Sequence, residues 1–189
     1  MSVTTTHGAQ TSVAIHDLLA ARWSPREYDP TRSVSDEELA SLLEAARWAP
    51  SASNLQPRRL LVFRRGTPEF DRVVAHLTGR NPAWAAKAAV LVVGVAELRG
   101  PDGATRRWAQ YDLGQSIAHL TVQAQSLGLS VRQMGGIDAA GLAAEFGIPD
   151  RYEVMTVTAV GHRGTLPAGT SAHPRERLSL EQLVNPTVW

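Results

Sequence analysis

The alternation of strand-like and helix-like stretches along this chain predicts, by pattern alone, an α/β fold on a parallel sheet. Two observations carry most of that expectation. Ala88–Ala96 is an apolar run rich in β-branched side chains, which suits a central strand buried on both faces. Thr105–Leu127 is the longest helical stretch, with Leu113, Ile117, Leu120, Ala124 and Leu127 on one side and Gly128 as its stop. Strand direction is not written in the pattern, so the parallel arrangement is the weaker half of the expectation.

The other elements follow in chain order. Ser12 can cap a helix reaching about Arg22, with Val13, Leu18 and Leu19 turned inward. Pro25 and Pro30 make Ser24–Ser33 irregular. Ser35 with Glu38 forms a capping box, and Leu39, Leu42, Leu43 and Ala46 make one stripe on the helix that Pro50 ends. A polar loop, residues 51–57, leads into a short buried strand at Leu60–Phe63. Thr67-Pro68 starts a helix with Phe70, Val73, Val74 and Leu77 on one face. Ser130–Met134 is a short strand running into Gly135-Gly136, and Asp138 caps a helix that ends before Gly147. Glu153–Val160 is a further strand. Gly161–His173, rich in Gly, Pro, Ser and Thr, reads as a mobile loop, and a last short helix begins near Ser179, capped with Gln182.

The composition bounds the function. A chain of 189 residues with 43% hydrophobic and 20% charged residues suits one soluble domain, 12–189, behind a loose polar tail, 1–11. Nineteen basic against 18 acidic residues leave a net charge of +1, which gives no reason to propose nucleic acid or an anionic membrane as partner. There is no cysteine, so disulfides, thiolate metal sites and cysteine nucleophiles are excluded. The longest apolar run is too short to span a membrane, and no targeting segment is visible, so a cytoplasmic location is expected.

Much chemistry is unsignalled. There is no G-x-S-x-G elbow, no P-loop and no G-x-G-x-x-G after a strand. The six histidines (7, 16, 76, 119, 162, 173) lack metal-ligand spacing and read as surface or capping residues, so no metal is expected. No acid–base pair stands out, and no protein side chain is expected to be catalytic. A chain with a large core and few chemical groups of its own suits a protein that relies on a cofactor.

Four segments could hold one. Arg22-Trp23-Ser24-Pro25-Arg26 places two cations and a hydroxyl at alternate positions, which suits a phosphate and a polar ring edge, or only a basic helix end favoured by the macrodipole. Pro50-Ser51-Ala52-Ser53-Asn54-Leu55-Gln56-Pro57 offers small hydroxyl and amide groups between prolines, or an ordinary turn. Met134-Gly135-Gly136 lets a ligand approach backbone N–H groups, or is a plain glycine turn. Arg175-Glu176-Arg177 can clamp a phosphate bidentately, or is a solvated charged tail.

Taken together and in this order, the segments resemble the nitroreductase family of flavoproteins. The matching stretches are RWSPREYDP, AARWAPSASNLQPRRLLVF, YDLGQSIAHLTVQAQSLGLSVRQMGGID and RERLSLEQLV, within Ile15–Val184; the proline-bounded PSASNLQP loop is the most specific. The resemblance implies an α+β fold around a mostly antiparallel mixed sheet with helices on both sides, in place of the parallel sheet of the simple pattern. It also implies an intertwined homodimer with FMN at the interface and NAD(P)H as reductant. By position, Arg22, Ser24, Arg175 and Arg177 would take the phosphate, with Trp23 beside them, and Arg26 the pyrimidine side of the ring. The N–H groups of Gly135 and Gly136, after Met134, would face the flavin N5 and O4. Pro50, Ser51, Ser53 and Asn54, with Gln56, would come from the partner subunit, and Asn81 would be a further ring contact. Leu180, Leu183, Val184 and Trp189 are apolar enough to pack on that partner.

The implied activity is hydride transfer from NAD(P)H through flavin to a nitroaromatic, quinone or related small-molecule acceptor, in a ping-pong cycle. A flavin-dependent oxidase or dehydrogenase on a non-nitro substrate, and a flavin-binding module without turnover, are the alternatives. The chain departs from the family pattern at Arg58, where relatives often carry Trp after Gln-Pro, and in its short length.

Overall fold

The computed structural model describes residues 8–165 and 175–184. His7, His173, Trp189 and most of the expected mobile loop lie outside the described residues.

Four strands form one sheet: β1 (Arg58–Arg64), β2 (Val90–Glu97), β3 (Ser130–Met134) and β4 (Tyr152–Gly161), in the order β1-β2-β4-β3. Every neighbouring pair is antiparallel. This corrects the parallel arrangement that alternation suggested and agrees with the α+β sheet that the resemblance implied. The physical reason is that a helix between two strands can return the chain to either end of the sheet. Alternation records only that helices intervene.

β2 is buried along its whole length. Its successive side chains point to opposite faces, and each face finds its own helical layer. Leu91, Val93 and Val95 pack with Phe70, Val73, Trp84 and Leu142. Val90 and Val92 pack with Leu39, Leu42, Leu120 and Ala124. The first layer comes from α3 (Pro68–Ala75), α4 (Asn81–Ala85) and α6 (Ala139–Glu145), and the second from α2 (Asp36–Arg47) and α5 (Ala109–Ser126). Each fully buried Val or Leu of this sandwich stabilises it by about 1.5–3 kcal/mol.

The sequence signals for helix ends operate as read. Ser35 and Glu38 close a capping box on α2, Thr67 caps α3 ahead of Pro68, and Asp138 caps α6. Ser179 and Gln182 cap α7 (Leu180–Leu183). Gly128 takes a left-handed φ of 71° just after α5, a conformation other residues adopt at a cost. Leu127, placed on the buried stripe of that helix, is instead its C-cap and partly exposed.

Three expectations are corrected. The first helix is α1 (Asp17–Ala21), capped by His16 rather than Ser12; Val13 and Leu19 are exposed and the helix buries no residue. Helices draw most of their stability from a packed face; Ser12, Val13, Ala14 and Ile15 are all exposed and stay irregular. β1 is an edge strand, so Leu60–Phe63 are only partly buried. His162 is buried, with Nε2 3.2 Å from the Ser33 carbonyl, rather than being a surface or capping residue. The short helix α4 has no counterpart in the sequence reading.

Candidate functional site

The free edge of β3 organises the site. Arg132, on that strand, reaches out and donates from Nη1 to the Ser24 carbonyl at 2.7 Å. This fastens the R-W-S-P-R segment beside the strand. Tyr28 anchors the far end of the segment: its ring is buried, its hydroxyl donates to the Ala159 carbonyl at 3.1 Å, and its backbone pairs with Arg163. Burial pushes the Tyr28 phenol well above its usual range, so it stays neutral.

At the start of the segment the cations gather. Arg22 follows α1 and donates from Nη1 to Ser24 Oγ at 3.1 Å. Arg175 donates from Nη1 to the Ala20 carbonyl at 3.0 Å, which brings the C-terminal segment alongside. Arg22 is held below the ordinary arginine value by burial first, and then by the charges of Arg175 and Arg177. Arg175 is lowered likewise by burial and by Arg177. Three guanidinium groups and one hydroxyl therefore share one place. Among the described residues, no ion pair includes Arg22 or Arg177. Trp23 lies under the Arg163 guanidinium, 5.8 Å from ring centroid to Cζ.

Past Arg132 the strand ends in Met134, which is buried, and the exposed pair Gly135-Gly136. Among the described residues neither glycine N–H donates a hydrogen bond. The Gly136 carbonyl accepts from Asn81 Nδ2 at 3.0 Å and from the Thr78 N–H at 2.9 Å. A Cβ at Gly136 would lie 2.8 Å from Asn81 Nδ2, so a larger residue here would displace that amide. Asn81 thus belongs beside the glycines. Its helix, α4, also carries Trp84, whose ring lies 5.2 Å from the Arg132 Cζ. Arg26 is exposed next to Arg132, and its charge adds to burial in lowering the Arg132 value.

The PSASN loop lies elsewhere. It precedes β1, and β1 and β3 are opposite edges of the sheet with two strands between them. Three interstrand spacings of about 4.8 Å separate those edges by roughly 14 Å. Ser53, Asn54 and Gln56 hold left-handed φ values of 50°, 53° and 50° around a 3-10 turn at Ala52–Asn54. Such backbone costs energy for residues other than glycine. Ser51 Oγ accepts from the Gln56 N–H, Gln56 Nε2 donates to Asn54 Oδ1, and buried Asp112 accepts from the Ala52 N–H. Pro50 is exposed at the loop entrance. Arg58 secures the loop from the other side, donating from Nη2 to the Arg47 and Ala49 carbonyls, both at 2.8 Å. The departure from the family pattern at this position is therefore a clamp on the end of α2.

The structure brings Arg22, Trp23, Ser24, Arg26, Asn81, Met134, Gly135, Gly136, Arg175 and Arg177 to the β3 side, and Pro50, Ser51, Ser53, Asn54 and Gln56 to the β1 side. Sequence reasoning missed Arg132 and Thr78. The available signal for Arg132 was a lone cation within a short strand that leads into a glycine pair.

An antiparallel sheet between two helical layers, with an arginine-lined strip on one edge, defines an α+β protein. The sequence profile of the Nitroreductase family matches residues 19–67 and 65–162, and the chain belongs to that family. It is 36% identical over 144 residues to a 15.4 kDa protein of the ask 5′ region in Mycolicibacterium smegmatis, covering 69% of this chain and 97% of that one. It is 27% identical over 162 residues to a Streptomyces coelicolor protein whose name carries NADH dehydrogenase/NAD(P)H nitroreductase, covering 75% and 78%. Among solved structures, an oxidoreductase containing FMN superposes with a TM-score of 0.80 at 30% identity, covering 86% of this chain and 84% of that one. A nitroreductase from Desulfovibrio desulfuricans in complex with FMN superposes at 0.75 with 27% identity, covering 91% and 97%.

Proposed function

We propose that the chain is an FMN-dependent oxidoreductase that takes reducing equivalents from NADH or NADPH and delivers them to a nitroaromatic, quinone or related acceptor. The observation that carries this reading is the cluster of Arg22, Arg175 and Arg177 around Ser24. Like charges held together repel, and a phosphate accepting from several guanidinium donors relieves that repulsion while gaining charge-assisted bonds. FMN has such a phosphate at one end and a polar ring at the other. The β3 edge offers Arg26 and then the donors of Gly135, Gly136 and Asn81 in matching succession, so the residues fit the group.

When bound, FMN supplies hydride chemistry at N5, in a ping-pong cycle between NAD(P)H and the acceptor. Arg22, Ser24, Arg175 and Arg177 would hold the phosphate, with Trp23 alongside. Arg26 would stabilise negative charge on the pyrimidine side, and the Gly135 and Gly136 N–H groups would fix the ring edge. No side chain is needed to move a proton in the hydride step.

The same reading makes the protein a homodimer in which residues 12–189 act as one FMN-binding unit. It supplies Pro50, Ser51, Ser53, Asn54 and Gln56 from one protomer to the site of its partner. The separation of the two sheet edges supports this, as does unpartnered apolar surface. Trp108, Tyr111 and Val122 stand exposed on one side of α5 and just before it, and Leu178, Leu180, Leu183 and Val184 are more than half exposed. A patch of this kind marks an interface more often than open surface. No helix among the described residues is long and apolar enough to cross a membrane. The lack of cysteine suits cytoplasmic work.

The test begins with the purified protein. It should be yellow and should release one FMN per chain on denaturation. Anaerobic reduction by NADH and NADPH, followed by nitroaromatic and quinone acceptors in turn, then resolves reductant and acceptor. A protein that carries no flavin and takes up none when offered would sink the reading.

A further inference from the structure

We propose that Arg132 is a positioning residue for the flavin site, and that its partly buried charge favours the reduced cofactor; this rests on the FMN reading above. Three contacts define its place. Nη1 donates to the Ser24 carbonyl at 2.7 Å. The guanidinium lies over Trp84, 5.2 Å from the ring centroid. Nε is buried without a hydrogen-bond partner. Arg132 therefore joins the two halves of the strip: the segment carrying Arg22, Ser24 and Arg26, and the end formed by Gly135, Gly136 and the helix that Asn81 and Trp84 share.

Its electrostatic setting is unusual. Arg26 is its charged neighbour, of the same sign, and among the described residues no ion pair includes either arginine. A cation held in partly buried surroundings without a counter-charge interacts strongly with any negative charge placed nearby, because little water screens it. Arg26 is exposed at the surface, where water screens its charge. Arg132 is fixed by the Ser24 carbonyl and Trp84. Two-electron reduction adds negative charge to the flavin ring while leaving the phosphate unchanged. A fixed cation behind Arg26 should therefore act on the difference between oxidised and reduced FMN. A merely structural residue would act on both alike.

The experiment measures FMN affinity in both redox states, and the two-electron potential of the bound flavin, for wild type, Arg132→Met and Arg132→Lys. In Arg132→Met the reduced form should lose about ten-fold more affinity than the oxidised form, as expected for a unit charge removed from a partly buried site. This is a potential about 30 mV lower. Arg132→Lys keeps the charge but not the forked geometry. It should restore the potential while binding both forms somewhat more weakly. Equal losses for both forms in Arg132→Met, with the potential unchanged, would overturn the proposal and leave Arg132 a fastening of the fold. If Arg132→Met does not fold, Arg132→Gln, which can still donate to the Ser24 carbonyl, carries the same comparison; failure of both to fold also assigns the residue to the fold alone. A wild-type protein that binds no FMN removes the flavin reading itself and this proposal with it.

Discussion

Arg177 is exposed and donates from Nη1 to the neighbouring Glu176 carbonyl, yet its charge is felt by both Arg22 and Arg175. Its removal is therefore the sharpest single-residue test of the phosphate clamp. One charge-assisted contact contributes about 1.5–3 kcal/mol, so Arg177→Ala should weaken FMN binding roughly 10- to 150-fold. Riboflavin, which lacks the phosphate, should bind mutant and wild type alike. Parallel titrations of both ligands check this, and equal FMN affinity in the two proteins removes Arg177 from the site. At this scale much of the candidate site was legible, because Arg22, Ser24 and the C-terminal arginines show their charge and spacing in the sequence itself. Arg132 was not legible, since a strand residue's side chain acquires meaning only from what lies across the strand edge. Thr78 contributes a backbone N–H to Gly136, and a backbone group leaves no mark on residue identity.

The PSASN loop shows how one element is held in a costly shape. Three left-handed residues persist only when the surroundings over-determine them, and here Asp112 and Arg58 do so. Asp112 is buried on α5 and accepts from the Ala52 N–H at 3.1 Å, and its charge offsets part of the burial that lowers Arg58. Asp112→Ala should destabilise the protein by about 1–3 kcal/mol, the cost of leaving the partly buried Ala52 N–H unpaired. Denaturant unfolding would register the loss, and a change under 0.5 kcal/mol would show that the loop keeps its shape without this anchor. Ser35→Ala probes an element whose signal was explicit in sequence. Losing the α2 cap should lower stability by about 1 kcal/mol without touching flavin content. Caps and turns are legible because they are local: Ser35, Thr67, Asp138 and Ser179 each act within three residues. α4 escaped notice because five residues carry too little periodicity to be seen. α1 was overextended because Val13 and Leu19, which imitate an inward stripe, stay exposed.

At the scale of the whole molecule, the exposed apolar surfaces and the two-edged distribution of site residues predict that assembly and cofactor binding are linked. Light scattering at micromolar concentration should report a dimer. Ligand that binds only the native assembly stabilises it in proportion to the logarithm of its concentration, so added FMN should raise the melting temperature. A chain ending before Leu178 loses Leu180, Leu183 and Val184 together, and should retain less flavin and dissociate more readily. A monomeric mass with full flavin content would separate the two properties and contradict this linkage. Strand order and direction were the least legible features. Which end of the sheet a strand re-enters depends on long-range packing, and here only family resemblance anticipated the antiparallel result.

The hydrogen bond from Arg175 to the Ala20 carbonyl joins residues 155 positions apart in the chain. During synthesis, that span means that a nascent polypeptide completes its phosphate grip late. Arg22 emerges long before Arg177, and the four strands of the sheet lie between them in the chain. The grip on the phosphate should therefore close only after the four strands of the sheet have been made. Flavin uptake by chains stalled before residue 175 should be weak and should rise sharply once the C-terminal segment is free. Full uptake by the stalled chains would show that the early arginines suffice.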